Sequence, residues 1–191
     1  FACQNWGTDG EITLSEAAAV TEIPDDISYF RGNTLITRFD ELVYFTGLTS
    51  IANNAFYGCT TLASISFPES LKVIGQQSFR NCTSLTNINF PAQMDEIKVH
   101  AFWGCTALKI LRLPDGIKTA NCGYQCGIEE LYIPDSVETV SQFTECTNLR
   151  KVDIGTGVKS FLQNAFNADL AIEIFIIRAS TVPSYAGWTL P

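Results

Sequence analysis

The chain has 191 residues, 46% of them apolar and 17% charged, with 12 basic against 20 acidic side chains and a formal net charge of −8. Such a composition folds rather than staying disordered, and its length suits one ordinary domain or one elongated array. The acidic balance excludes a phosphate-backbone binder, so no nucleic acid is expected as a partner, and the single histidine excludes most His-based metal and acid–base sites. Apolar stretches reach only about six residues against the ~20 that a spanning helix needs, so no membrane span is expected.

The chain begins at Phe1 without a basic-plus-apolar leader, as expected of a mature or trimmed form. Asp9-Gly10-Glu11-Ile12-Thr13-Leu14-Ser15-Glu16 is similar to the second half of an EF-hand calcium loop. With Glu16 as the twelfth residue, Gly10 falls sixth and Ile12 eighth, as that loop requires. The first and third positions are then Asn5 and Gly7, so two ligands are weakened or missing. Asn5, Asp9, Glu11 and Glu16 are the candidate calcium ligands. The alternative is a plain capping turn, and no cofactor is the expectation. Ser15 to Ile23 is rich in helix formers, with Thr13 or Ser15 as N-cap and Pro24 as its stop. Residues 1–35 therefore read as an N-terminal cap over the open end of residues 36–191.

From residue 36 onward the chain repeats. Phe56, Phe79 and Phe102 are spaced by 23 residues, and so are Cys59, Cys82 and Cys105 and Pro68, Pro91 and Pro114. Leu62, Ile65 and Phe67 recur as Leu85, Ile88 and Phe90, then as Leu108, Leu111 and Leu113. The phase continues at 20 to 23 residues through Leu131, Val152 and Phe175, and backwards to Phe39 and Leu42. A fixed period of this size is the mark of leucine-rich repeats. In each unit Ile65 and Phe67, at a spacing of two, suit a short strand that the proline ends. Leu71 and Ile74 form a second apolar pair, and Asn54 to Cys59 forms one helical turn. One unit cannot bury these residues alone, whereas a stack of parallel rungs can.

The unit A-F-x-G-C-T-x-L-x-x-I-x-F-P-x-S-L-x-x-I, as Ala55 to Ile74 carries it, resembles the BspA-type leucine-rich repeat of bacterial surface proteins. Phe39 to Ile51 resembles the entry segment before such repeats. The resemblance covers residues 36–191. It implies a right-handed solenoid, and the repeat itself counts about seven units of 20–23 residues, β-rich within the α/β class. It further implies an extracellular or cell-surface location and, for some members, adhesin-like binding of host matrix proteins. It brings no catalytic residues.

Cys59, Cys82, Cys105, Cys126 and Cys146 share one position in the unit and are expected to form an inward ladder of reduced thiols. Adjacent rungs would hold parallel Cβ vectors about 4.8 Å apart, where a disulfide wants converging vectors at about 3.8 Å. Cys122 and Cys126, in a shortened unit where Gly123 and Tyr124 replace the usual Ala-Phe, leave a disulfide as the open alternative. His100 falls at the position of Asn54 and Gln77, read as exposed and polar, so no Cys–His nucleophile pair is supported and no enzyme is expected.

The residues between the buried strand positions face outward. In the middle units these are Ile110, Arg112, Glu130, Tyr132, Lys151 and Asp153. Arg112, Glu130, Tyr132, Lys151 and Asp153 are the candidate protein-binding residues, against the alternative of a solvated face with cross-strand pairs. Ile174 and Ile176 are expected under the segment Ser180 to Trp188. A second outward stripe of Tyr57, Arg80 and Trp103 offers an aromatic ledge held by cation–π contact, either a glycan platform or local packing. The expected function is a non-enzymatic, adhesin-like module for a macromolecule of a host or neighbouring cell. A structural spacer and a glycan-binding module are the alternatives.

Overall fold

The computed structural model describes residues 13–25, 30–167, 171–181 and 183–185. Thr13 caps helix α1 (Leu14–Ala19): its hydroxyl accepts from the Glu16 N–H, and the Glu16 carboxylate accepts from the Thr13 N–H. The helix expected to run to Ile23 stops at Ala19, and Val20 at its C-cap is already extended. Val20, Thr21 and Ile23 are β-branched, and tertiary pairing recruits Glu22–Ile23 as the first strand, β1. The first rung is thus laid inside the stretch read as a cap.

Fourteen short strands come after it. They are β2 (Arg38–Phe39), β3 (Ser50–Ile51), β4 (Ser64–Ser66), β5 (Val73–Ile74), β6 (Asn87–Asn89), β7 (Glu96–Ile97) and β8 (Ile110–Arg112), then β9 (Thr119–Ala120), β10 (Glu130–Ile133), β11 (Thr139–Val140), β12 (Lys151–Ile154), β13 (Ser160–Phe161), β14 (Ile174–Ile177) and β15 (Ser184–Tyr185). A 3-10 turn (Asp40–Tyr44) succeeds β2. Every named pairing is parallel and joins residues one coil apart, as a stacked solenoid requires. The strands of three and four residues form one track, which β2 begins: β2-β4-β6 and β8-β10-β12-β14. The two-residue strands form the other, β1-β3-β5-β7 and β9-β11-β13-β15. Both tracks are interrupted at the same place, between the coil of β6 and β7 and the coil of β8 and β9.

A third line of bonds, along the turns, crosses this interruption without a gap: Phe79 N–H donates to Ala101 O, Phe102 N–H to Cys122 O, and Gly104 N–H to Tyr124 O. Each turn passes through left-handed residues. These are Asn54, Gln77, His100, Gln142 and Asn164 at one position, and Gly58, Asn81, Gly104, Gln125 and Glu145 at another. Gly and Asn tolerate that conformation best, which explains their recurrence at these points.

Inside the turns the phenylalanines stack. Ring centroids are 4.8 Å apart for Phe30–Phe56, 5.0 Å for Phe56–Phe79 and 5.6 Å for Phe79–Phe102. Beside them the thiols form their own ladder. Cys59, Cys82, Cys105 and Cys126 donate to the carbonyls of Phe30, Phe56, Phe79 and Phe102 at 2.9 to 3.2 Å, and Cys146 to Gly123 O at 2.8 Å. All six described cysteines are buried, and Cys122 and Cys126 are not joined, so the disulfide alternative there does not hold. The bond pattern also corrects the alignment of that unit. Cys122 stands where Ala101 stands and Gly123 where Phe102 stands, so Tyr124 takes the place of Trp103.

Candidate functional site

The outward face of the longer-strand track changes along the solenoid. In the early coils it is small and self-satisfied: the Ser64 and Ser66 hydroxyls both donate to Asp40, and the Asn89 amide donates to Ser66. Beyond the interruption, register places Ile110, Glu130, Lys151 and Ile174 in one row and Arg112, Tyr132, Asp153 and Ile176 in the next.

Four of the five predicted face residues meet. The Arg112 guanidinium lies 3.6 Å from the Tyr132 ring centroid and the Lys151 ammonium 4.9 Å. Lys151 Nζ donates to the Tyr132 hydroxyl at 3.0 Å, and that hydroxyl donates to Glu130. The bond from Lys151 to Tyr132 comes first in holding the Lys151 ammonium above its usual range, with the nearby tyrosine, Glu130 and Asp153 adding to it. Tyr132 is thereby clamped between two cations with its ring half-buried, and Arg112 stays exposed. Asp153 differs. It is only 9% exposed, and Arg178 Nη2 pairs with its Oδ2 at 2.6 Å. Arg178 was not anticipated. It lies one residue past β14, where extending the β12–β14 register sets it beside the row of Asp153. Tyr132, Asp153 and Arg178 line a cleft of about 330 Å³ together with Pro134 and Asp135.

Exposed apolar side chains frame this polar centre: Ile110 is 47% exposed, Ile174 49% and Ile176 38%. Ile174 and Ile176 were expected to be covered by the segment from Ser180 to Trp188; both are exposed, and Trp188 lies outside the described residues.

The ledge also assembles, and it is longer than expected. Arg80 sits 5.4 Å from the Tyr57 centroid and 3.5 Å from that of Trp103, while Arg31 approaches Tyr57 from the other side at 5.6 Å. Tyr124 continues the row, edge-on to Trp103 at 5.0 Å, and His100 contacts both rings. Counting two residues back from each ladder cysteine finds Tyr124 as it finds Tyr57, Arg80 and Trp103. Their polar atoms bond to one another: Trp103 Nε1 donates to Gln125, Gln125 and Tyr124 donate to Glu145, and His100 Nε2 meets Gln142 Oε1 at 3.2 Å. The Gln125 and Tyr124 bonds, in that order, lower the Glu145 carboxyl, and the same contact raises the Tyr124 phenol. His100, read as exposed, is half-buried here, its ring packed against those of Trp103 and Tyr124.

Of the calcium candidates, Asn5, Asp9 and Glu11 lie outside the described residues. Glu16 is described, and its Oε2 takes both the N–H and the hydroxyl of Thr13, which commits that carboxylate to capping. Among the described residues no group of three or more His, Cys, Asp and Glu side chains could hold a metal, and no helix is long and apolar enough to cross a membrane.

Comparison with known proteins bears on the architecture. No curated protein sequence matches the chain. A leucine rich cell surface protein from Faecalibacterium prausnitzii A2-165 superposes with a TM-score of 0.53 and 32% identity, over 56% of this chain and 30% of that one. A leucine-rich repeat protein from Eubacterium ventriosum superposes with a TM-score of 0.55 and 21% identity, over 60% of this chain and 32% of that one, and supports the fold alone. The chain thus spans about a third of the length of these two solved proteins. The family described as BspA type Leucine rich repeat region matches in six copies across residues 33–142 and 119–186, and with the coil-to-coil register seen here, the chain belongs to that family.

Proposed function

We propose that the chain is a non-enzymatic, adhesin-like binding module displayed at a bacterial cell surface, which grips a protein partner through the longer-strand face. The observation that carries this reading is Tyr132 held by Arg112 and Lys151 from the two neighbouring strands, set among exposed Ile110, Ile174 and Ile176. Aromatic and arginine anchors held rigid at the centre of a patch, with apolar neighbours that exclude water, are what protein hot spots are made of. Tyr132 loses little conformational freedom on binding, because two cations already fix its ring. The surface location is supported by the family and by the likeness to the Faecalibacterium leucine rich cell surface protein.

The test is a binding array of host matrix proteins and glycans, followed by Tyr132→Ala and Arg112→Ala in the same chain. A saturable protein hit weakened at least about 30-fold by the pair, at roughly 2 kcal/mol for the anchors, is the expected result. Unchanged affinity in the folded double variant overturns the strand-face reading. Glycan binding is the second reading, and the row Tyr57, Arg80, Trp103 and Tyr124 favours it; it requires loss of sugar binding in Trp103→Ala. A blank array with ordered self-association transfers the weight to a structural spacer.

A further inference from the structure

Three rows of side chains cross the face of β8, β10, β12 and β14. Ile110, Glu130, Lys151 and Ile174 form the first, and Arg112, Tyr132, Asp153 and Ile176 the second. Just before the strands, Lys109, Glu129, Arg150 and Glu173 form the third. Coil is tied to coil there by Glu129 N–H to Lys109 O, Arg150 N–H to Glu129 O and Glu173 N–H to Arg150 O. All four side chains of this third row are exposed.

The third row runs basic, acidic, basic, acidic. The first runs apolar, acidic, basic, apolar. Reversed, each sets opposite charge against opposite charge and apolar against apolar. A twofold axis along the strand direction, midway between β10 and β12, performs that reversal. It lays a second copy face to face with the first, coil order inverted and every row opposite itself. Lys109 then meets Glu173 of the second copy, Glu129 meets Arg150, Glu130 meets Lys151, and Ile110 meets Ile174. In the second row Arg112 meets Ile176 and Tyr132 meets Asp153, so like charges meet nowhere. Twisted sheets pack with their strands within about 30° of each other, which keeps rows of four strands in correspondence.

Cross-strand pairing within the chain accounts for only part of this pattern. Lys109 and Glu129 bridge at 3.1 Å, but among the described residues Arg150 and Glu173 have no ion-pair partner. Nor does it explain isoleucines at both ends of the first row, Ile110 at 47% and Ile174 at 49% exposure. Between two copies they supply an apolar contact on each side of the axis, inside a charged rim. The three rows are also neutral, four basic side chains against four acidic, in a chain of net charge −8. The acidic excess lies elsewhere, so two copies meet less repulsion here than on other sides.

We infer that this face pairs with a second copy of the same chain in a closed twofold dimer. The inference rests on the strand-face reading and deepens it by naming the partner. Glu130 and Lys151, the charges nearest the axis, are already held by the Tyr132 hydroxyl, so they lose little freedom on pairing. Both keep spare capacity, since an ammonium has further N–H donors and a carboxylate a second oxygen. A pair that closes at two also differs from the continuing assembly of a spacer.

The experiment is sedimentation velocity of the whole chain, followed up to millimolar concentration. A monomer–dimer equilibrium is expected. Glu130→Lys and Lys151→Glu should each weaken the dimer about a hundredfold, since like charges then face one another twice across the axis. Mixed in equal amounts, the two variants should recover a dimer close to wild type, because each carries the charges the other lacks. Misfolded variants would not rescue one another. Lys118→Glu and Glu138→Lys, on the two-residue track, should leave the dimer unchanged. A chain that stays monomeric, species that keep growing beyond two, or variants without mutual rescue overturn the pairing. On the unaltered chain, dilution should move the amide NMR signals of β8, β10, β12 and β14 and leave those of β3 and β5. Movement confined to other strands overturns the pairing as well. The strand-face reading fails separately. A monomer whose hit on the protein array is lost in Tyr132→Ala with Arg112→Ala overturns the pairing alone. A dimer whose array hit is indifferent to those two substitutions overturns the matrix-protein reading alone.

Discussion

Ser78 stands where Ala55 and Ala101 stand in neighbouring coils, fully buried, and its hydroxyl has no partner. A buried hydroxyl without a hydrogen bond carries its full desolvation cost. Ser78→Ala should therefore stabilise the fold by about 1 kcal/mol in urea unfolding, a gain few core substitutions give; a loss of stability would show that the hydroxyl is satisfied in solution. The thiols make the opposite case, since burial suits them. Desolvation raises Cys59 from 9.0 to about 11 and Cys122 to about 12, and lifts Cys82 and Cys105 well above 9.0. The native state therefore holds these protons more tightly than the unfolded chain does. Their stabilising effect is complete below pH 9 and is lost as pH rises from there through 11 and 12. Denaturant midpoints measured across pH 8 to 11 should fall steeply above 9, and replacing Cys82 and Cys105 by Ala should flatten that fall. Alkylation at neutral pH should be limited by unfolding, because the thiolate is the reactive form.

At the scale of the element, Gly123 breaks the phenylalanine ladder and Phe143 fills the break. A Cβ on Gly123 would lie 2.6 Å from Phe143 Cδ1, a contact that cannot be kept. Gly123→Ala alone should cost about 2 kcal/mol, and Phe143→Leu beside it should recover part of that loss, which a double-mutant cycle of unfolding energies reads directly. Strictly additive losses would show that the ring has room to move. The same coil marks the limit of what was legible from the residues. The repeat fixed the rungs, the inward thiols and the meeting of Arg112 with Tyr132, because period-2 alternation and register leave one solution once a face is buried. It misplaced Gly123 and Tyr124, because a two-residue deletion before Cys122 and a one-residue deletion after Cys126 shift the phase by different amounts. It also carried α1 through Glu22–Ile23, because local propensity reads a segment without knowing that a neighbouring coil offers it a ladder. The partial burial of Asp153 under Arg178 depends on two long side chains finding each other across strands, which no periodicity encodes.

At the scale of the whole molecule, a stack of coils is stable through its nearest neighbours, so its cooperativity is only as good as its weakest junction. From the coil of β2 and β3 onward, every junction described has two strand ladders except one. Between the coil of β6 and β7 and the coil of β8 and β9 both ladders are interrupted, and the junction rests on single bonds such as Met94 N–H to Asp115 O and His100 N–H to Asn121 O, on the turn bonds of Phe102 and Gly104, and on packing of the core. The interruption thus divides the solenoid into an early and a late block. Unfolding should reflect this. In native-state hydrogen exchange, Phe161→Ala, which removes a fully buried ring in the late block at a cost of about 3–5 kcal/mol, should lower the protection of β10 to β14 and leave β3 to β5 close to wild type. Phe56→Ala in the early block should do the reverse. If either substitution lowers protection uniformly from β3 to β14, core packing across the junction outweighs the missing ladder bonds and the solenoid unfolds as one unit. Because the candidate protein-binding face lies wholly in the late block, the two-block outcome carries a functional corollary. Phe56→Ala should then leave the affinity of the Tyr132 face unchanged while the early coils open, whereas uniform unfolding would weaken both together.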